Sequence, residues 1–218
     1  MRSLLLCSIF LFGCTQTLQD PLLKRQADAR IALGLGYLEH GHYVKAGQSL
    51  SKAIEYQPNY YRAQLALARY LNTVNEIDKA SLLYKQALSD NPNNGDVLNN
   101  YGTFLCQHGH FQQAEALFLQ AIQSPNYYDV ADSYENAALC EMKSGRLFKA
   151  RDYFLRSLQH QPDRRYALLY MAEFDIKESN YDQAKKKLAL YEQKYGKTKP
   201  WRRLQQRLDQ QISLNLGE

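Results

Sequence analysis

The sequence predicts an all-α fold: a superhelical solenoid of about five helix–turn–helix repeats closed by a C-terminal capping helix. Three observations predict it. Alanines recur at Ala46, Ala80, Ala114, Ala150 and Ala184, spaced 34, 34, 36 and 34 residues apart. Four residues after each stands a large apolar residue: Leu50, Tyr84, Phe118, Phe154 and Leu188. Before each lies a turn signal: Gly41-His42, Asn75-Glu76, Gly109-His110, Gly145-Arg146 and Ser179-Asn180. Columns that repeat in register at such a period mark stacked supersecondary units, none of which buries its apolar face alone.

Taken in order, the chain opens with a segment that belongs to targeting. Arg2 supplies a positive start, and Leu4 to Phe12 is a nearly unbroken apolar run, too short to span a bilayer but suited to a secretory signal. Leu11-Phe12-Gly13-Cys14 resembles the bacterial lipobox, although Phe12 stands where Ala or Ser is commoner. Residues 1–13 therefore read as a lipoprotein signal peptide, with a plain secretory signal as the alternative. Cys14 is the expected acylated residue, and Cys7, inside the apolar run, is not. Acylation would make the protein anchored rather than soluble. Thr15 is not the Asp that commonly retains lipoproteins on the inner membrane, which favours the periplasmic face of the outer membrane. Residues 14–26 read as the lipidated Cys and a tether.

The repeats follow at 27–60, 61–94, 95–128, 129–164 and 165–198. In the first, Leu33, Gly34 and Tyr37 form one face of the leading helix (A), and Ala46, Leu50 and Ala53 one face of the second (B). Small residues at Gly34 and Ala46 let the two backbones approach, and bulky ones fill the surrounding space. Pro58, Pro92 and Pro162 each follow the point where a B helix should stop. By spacing and residue type the pattern is that of the tetratricopeptide repeat. The fifth unit is degenerate, with Asp175 at a usually apolar site and no closing Pro. Between units three and four, Ser124-Pro125-Asn126-Tyr127-Tyr128 carries two extra residues, which predicts a looser join. Residues 199–218 form the capping helix and tail, with Trp201, Leu204, Leu208 and Ile212 on one face.

Composition adds limits. Hydrophobic content of 45% and charged content of 22% exclude wholesale disorder, and the net charge of +5 is mild. Basic residues cluster after Lys185, and they read as a solvated helix face, with contact to an acidic partner or a lipid surface as the alternative. No nucleic-acid-binding motif accompanies them. His40-Gly41-His42 and His108-Gly109-His110 fall in A–B turns two units apart, too distant to share an ion. No phosphate loop, nucleophile elbow or zincin motif is present, so neither enzyme, metal, cofactor nor small-molecule substrate is expected.

What the pattern offers is a concave groove lined by A helices. Its predicted lining is Asp28, Ile31, Leu35, Leu38 and Glu39, then Arg62, Leu65, Arg69, Asn72 and Thr73. Asp96, Asn99, Thr103 and Gln107 follow, then Asp132, Glu135, Leu139, Met142 and Lys143. Ile31, Leu35 and Leu38 stand out, since an end repeat has no internal reason to line its groove with aliphatics; they suit either a partner segment or the folded-back tether. Arg62, Arg69, Asn72 and Asn99 only partly imitate a carboxylate-clamping groove. Cys106 and Cys140 sit at positions 12 and 10 of successive A helices. Those positions point roughly 200° apart, so the side chains can face one another across the join. A disulfide is predicted there, two buried free thiols being the alternative.

From Asn93 to Cys106 (Asn93-Asn94-Gly95-Asp96-Val97-Leu98-Asn99-Asn100-Tyr101-Gly102-Thr103-Phe104-Leu105-Cys106), and again at Glu135-Asn136-Ala137-Ala138-Leu139-Cys140, the chain resembles the type IV pilus biogenesis lipoproteins (the PilF/PilW family of tetratricopeptide pilotins). The resemblance extends over lipobox, repeats, insertion, paired cysteines and C-terminal helix. It implies an outer-membrane lipoprotein that helps the pilus secretin reach that membrane and multimerise, supporting pilus assembly and twitching motility. It also implies the Cys106–Cys140 disulfide. The alternative is another periplasmic tetratricopeptide lipoprotein, an adaptor in outer-membrane barrel assembly or for peptidoglycan enzymes.

Overall fold

The computed structural model describes residues 21–216. The predicted signal peptide and Cys14 lie outside the described residues. Eleven α-helices account for the architecture: α1 (Pro21–Glu39), α2 (Tyr43–Tyr56), α3 (Tyr61–Thr73), α4 (Ile77–Asp90), α5 (Gly95–Gln107), α6 (Phe111–Ile122), α7 (Val130–Lys143), α8 (Leu147–His160), α9 (Arg165–Lys177), α10 (Tyr181–Tyr195) and α11 (Lys199–Leu216). Each odd helix packs on the even helix that follows, giving five A–B pairs with α11 set against α9 and α10. Odd helices also touch one another from α1 to α7 and between α9 and α11, whereas even helices do not pack together. The odd rank is therefore the inner, concave one.

The alanine column explains the pairing. Ala46, Ala80, Ala114, Ala150 and Ala184 are completely buried, and so, nearly, are Leu50, Tyr84, Phe118, Phe154 and Leu188. Burying one such large apolar side chain contributes about 1.5–3 kcal/mol, enough to hold helices too short to be stable alone. Close approach is literal: a Cβ at Gly34 would lie 2.6 Å from Leu50 Cγ, and one at Gly102 would lie 2.8 Å from Phe118 Cε1.

All five A–B turns are built alike. Gly41, Asn75, Gly109, Gly145 and Ser179 adopt positive φ, between 61° and 84°. In each, the next residue's N–H returns to a carbonyl five residues back, as His42 does to Tyr37 O at 2.8 Å. This Schellman closure satisfies carbonyls that a helix end would otherwise leave open.

Three expectations are corrected. Residues 21–26, within the stretch read as tether, already belong to helix α1. Leu33 is 43% exposed rather than core, lying beside the outer side of unit one. The join after unit three is filled, not loose. Tyr127 packs over Gly95, where a Cβ would lie 2.3 Å from its ring, and its hydroxyl bonds Ser133 Oγ at 2.8 Å. One hydrophobic cluster runs through that join, from Leu65 to Phe174. Asp175 does occupy a buried position, as expected, and its carboxylate accepts from Lys187 Nζ of α10 at 2.7 Å. Unit four does the same at the equivalent position, where fully buried Glu141 is held by Arg146, with Oε1–Nη2 at 2.8 Å.

Candidate protein-binding groove

The concave face is a series of surfaces rather than one groove. At one end of the described stack lies α1. Ile31 is half-buried against the cluster of Ala27, Ala53, Tyr60 and Ala63, while Leu35 is partly exposed. Leu38 and Leu65 do not belong to this surface. Both are only 8% exposed, Leu65 being part of the main core, because neighbouring A helices close over positions that an idealised single repeat leaves free.

The middle of the face is polar. Arg69, Asn72 and Asn99 come together with Asn136, Thr103 and Gln107 around a recess of 340 Å³. Their carboxamides are bonded to one another: Asn72 Nδ2 donates to Gln107 Oε1 at 2.8 Å, and Asn136 Nδ2 donates to Asn99 Oδ1 at 3.1 Å. His108 Nε2 lies 2.8 Å from Asn72 Oδ1, and Lys143 Nζ donates to Gln107 O at 2.7 Å. These bonds run across successive A helices, so the row ties repeats together while presenting donors and acceptors. Arg62 stands apart, in a cleft of 570 Å³ that it shares with Tyr61, Asp96 and Tyr127.

Two acidic residues read as groove lining have structural duties instead. Asp28 accepts from Tyr60 Oη at 2.7 Å; burial, reinforced by that bond, pushes the Tyr60 phenol up to about 12. Glu135 is buried, and Oε1 accepts the N–H groups of Tyr166 and Ala167 at 3.0 and 2.9 Å while Oε2 takes Arg164 at 2.7 Å. It is an acidic cap on the N-terminus of α9, borrowed from the preceding repeat.

Cys106 and Cys140 are joined as a disulfide between α5 and α7, with Cα atoms 5.7 Å apart. Both residues are buried in the main core. The histidine pairs occupy A–B turns. Among the described residues, no three His, Cys, Asp or Glu side chains gather so as to hold a metal ion, and no helix is long and apolar enough to cross a membrane.

Family models described as tetratricopeptide repeat match residues 31–95 and 105–165, and a second matches 83–116. The type IV pilus assembly protein PilF of Pseudomonas aeruginosa is 34% identical over 197 residues, which cover 88% of this chain and 78% of that protein. The chain belongs to the PilF/PilW family of tetratricopeptide-repeat proteins. Its fold agrees with a solved structure of P. aeruginosa PilF at a TM-score of 0.75, with 32% identity over 88% of this chain and 86% of that one. PilW, described as a widely conserved type IV pilus biogenesis factor, superposes with a TM-score of 0.65 and 27% identity, covering 77% of this chain and 76% of that one. Like its PilF/PilW relatives, the chain is a tetratricopeptide scaffold.

Sequence reasoning missed Asn136 and Gln107 as partners of Asn72 and Asn99. The signal was available, because all four are carboxamides on A helices. What was hidden is that they pair across repeats.

Proposed function

We propose that the protein is a non-catalytic outer-membrane lipoprotein, anchored through acyl chains on Cys14, that gathers subunits of the type IV pilus secretin at the periplasmic face and promotes their multimerisation. The reading rests above all on kinship with PilF over 88% of the chain. It is supported by the aliphatic surface of α1, where Leu35 stays partly exposed at one end of the described stack. A secretin segment docking its apolar side on that surface would bury area at little entropic cost, because α1 is already packed on α2 and α3. Anchoring raises the local concentration of the captured subunits, which favours their assembly without any chemistry by the scaffold.

The deciding experiment uses Leu35→Glu in cells that make the pilus. Ile31 is less suitable, since it supports the core beneath it. The variant should keep the wild-type unfolding midpoint yet leave secretin as monomers on a non-reducing, unboiled gel. Normal multimers would remove α1 from the mechanism. Cys14→Ser should move the protein from the membrane to the soluble fraction, and continued membrane retention would sink the lipid anchor.

A further inference from the structure

The basic residues that gather after Lys185 do not form one uniform solvated face. Lys187 is paired with Asp175, Lys194 with Asp163, Lys197 with Glu192 and Lys185 with Asp182. Lys199 and Arg203 make no ion pair among the described residues, and both stand exposed on α11. They form one wall of a 420 Å³ cleft between α9 and α11, at the opposite end of the solenoid from α1. Arg207 completes that wall. The opposite wall carries a single carboxylate, Glu173, and its charge is already shared between Lys177 at 3.1 Å and Arg207 at 3.4 Å. The cleft is therefore cationic on balance.

Its floor is apolar. Leu169 and Leu204 lie at the base, and Tyr166, 47% exposed, lines the side together with Tyr170, the Arg165 guanidinium lying 6.0 Å from the Tyr166 ring centroid. Cations rimming an aromatic and aliphatic floor ask for two things at once: negative charge, and an apolar group to cover Tyr166. We propose that the α9–α11 cleft is a second docking site, which takes a segment of a partner protein in which an aromatic or aliphatic residue is flanked by acidic residues. The apolar side chain enters over Tyr166 and Leu169, and the flanking carboxylates accept from Lys199 and Arg203. A bilayer surface suits the site less well. The cleft lies between two helices of the concave rank, and headgroups pairing with the cations would leave its floor uncovered. The proposal does not depend on the role of α1 or on the identity of the secretin.

Fluorescence anisotropy on the full-length protein in detergent tests it. The probe is a labelled peptide with Glu-Asp-Phe-Leu-Asp-Glu at its centre. Two companions replace either its acids by Gln and Asn or its Phe and Leu by Ser. The acidic, apolar peptide should bind, and both companions should bind at least about tenfold more weakly. Lys199→Glu with Arg203→Glu, at exposed positions that leave the packed face of α11 intact, should cost about tenfold or more at an unchanged unfolding midpoint. Tyr166→Ser should weaken binding, and Leu35→Glu should not. No binding of the first peptide, equal binding by the charge-reversed variant, or equal binding of the Ser peptide would each overturn the proposal. So would phosphatidylglycerol vesicles that require Lys199 and Arg203 but are not displaced by the peptide, which would assign the cleft to membrane.

Discussion

The Glu135 carboxylate of α7 accepts the Ala167 N–H of α9 at 2.9 Å, so that one repeat caps the first turn of the next. Most stacking contacts in this solenoid are apolar and non-directional. This one is charged and directional, and it bridges the two A helices that touch each other least.

Glu135→Ala should accordingly be costly. It strips two backbone N–H groups of α9 of their acceptor and leaves the partly buried Arg164 with Asp132 alone. Removing one partner of such a pair costs about 3 kcal/mol, which for a chain of this size lowers the melting temperature by roughly 6–12 °C. Glu135→Gln keeps the oxygen that serves the backbone and should lose markedly less. Thermal unfolding of the two variants would show it, and equal losses would mean that the charge, not the cap, is what matters.

The disulfide closes a loop of 34 residues between helices that already pack together. Constraining the unfolded chain to that extent is worth about 3–4 kcal/mol in the chain-entropy description. Reduction, or Cys106→Ser with Cys140→Ser, should lower the urea midpoint accordingly without altering helical content. Mass spectrometry of protein isolated without reductant should find both thiols oxidised, and two free thiols would end the idea.

Much of this architecture was legible in the sequence, for a physical reason. Where two helices of a repeat cross, only a small residue fits one position and only a bulky one fills the next, so packing writes itself as Ala46 and Leu50, again as Ala114 and Phe118. The groove was less legible. An idealised repeat places Leu38 and Leu65 on the open face, but whether such a position stays open depends on the tilt of the neighbouring A helix. Glu135, Glu141 and Asp175 were hidden for another reason. A charge at a buried position is tolerable only with its partner, and the partners Arg164, Arg146 and Lys187 follow no fixed offset.

Alkaline pH should weaken the fold through its tyrosines. Burial pushes the phenols of Tyr84 and Tyr127 up to about 12, above the ordinary value of 10, and Tyr60 is raised similarly. A raised folded-state value means that the neutral form is favoured in the native protein. Its stabilisation is complete below pH 10 and is lost as pH climbs towards 12. For Tyr84, stacked on Tyr101 at 5.7 Å, the loss should reach about 2 kcal/mol by pH 12. Urea midpoints measured from pH 9 to 12 should fall for the wild type and fall less steeply for Tyr84→Phe. Parallel curves would assign the alkaline loss elsewhere.

Gly34 and Gly36 sit two residues apart in α1, yet alanine should act in opposite directions at them. At Gly34 a Cβ would meet Leu50 at 2.6 and 2.7 Å and Ser49 Cβ at 3.3 Å. Leu50 is fully buried and cannot swing clear, so the helices must separate. Overpacking of this kind costs about 1–3 kcal/mol, more than alanine's better helix propensity returns. At Gly36 nothing among the described residues lies within 4 Å, so the same methyl group meets no neighbour there. There the substitution lowers the backbone entropy of the unfolded chain, and should stabilise by about 0.5–1 kcal/mol. Melting curves of the two single variants should therefore bracket the wild type, Gly34→Ala below and Gly36→Ala above. If Gly34→Ala melted at or above the wild type, the close contact of α1 with α2 would be wrong, and with it the spacing rule from which the whole stack is built.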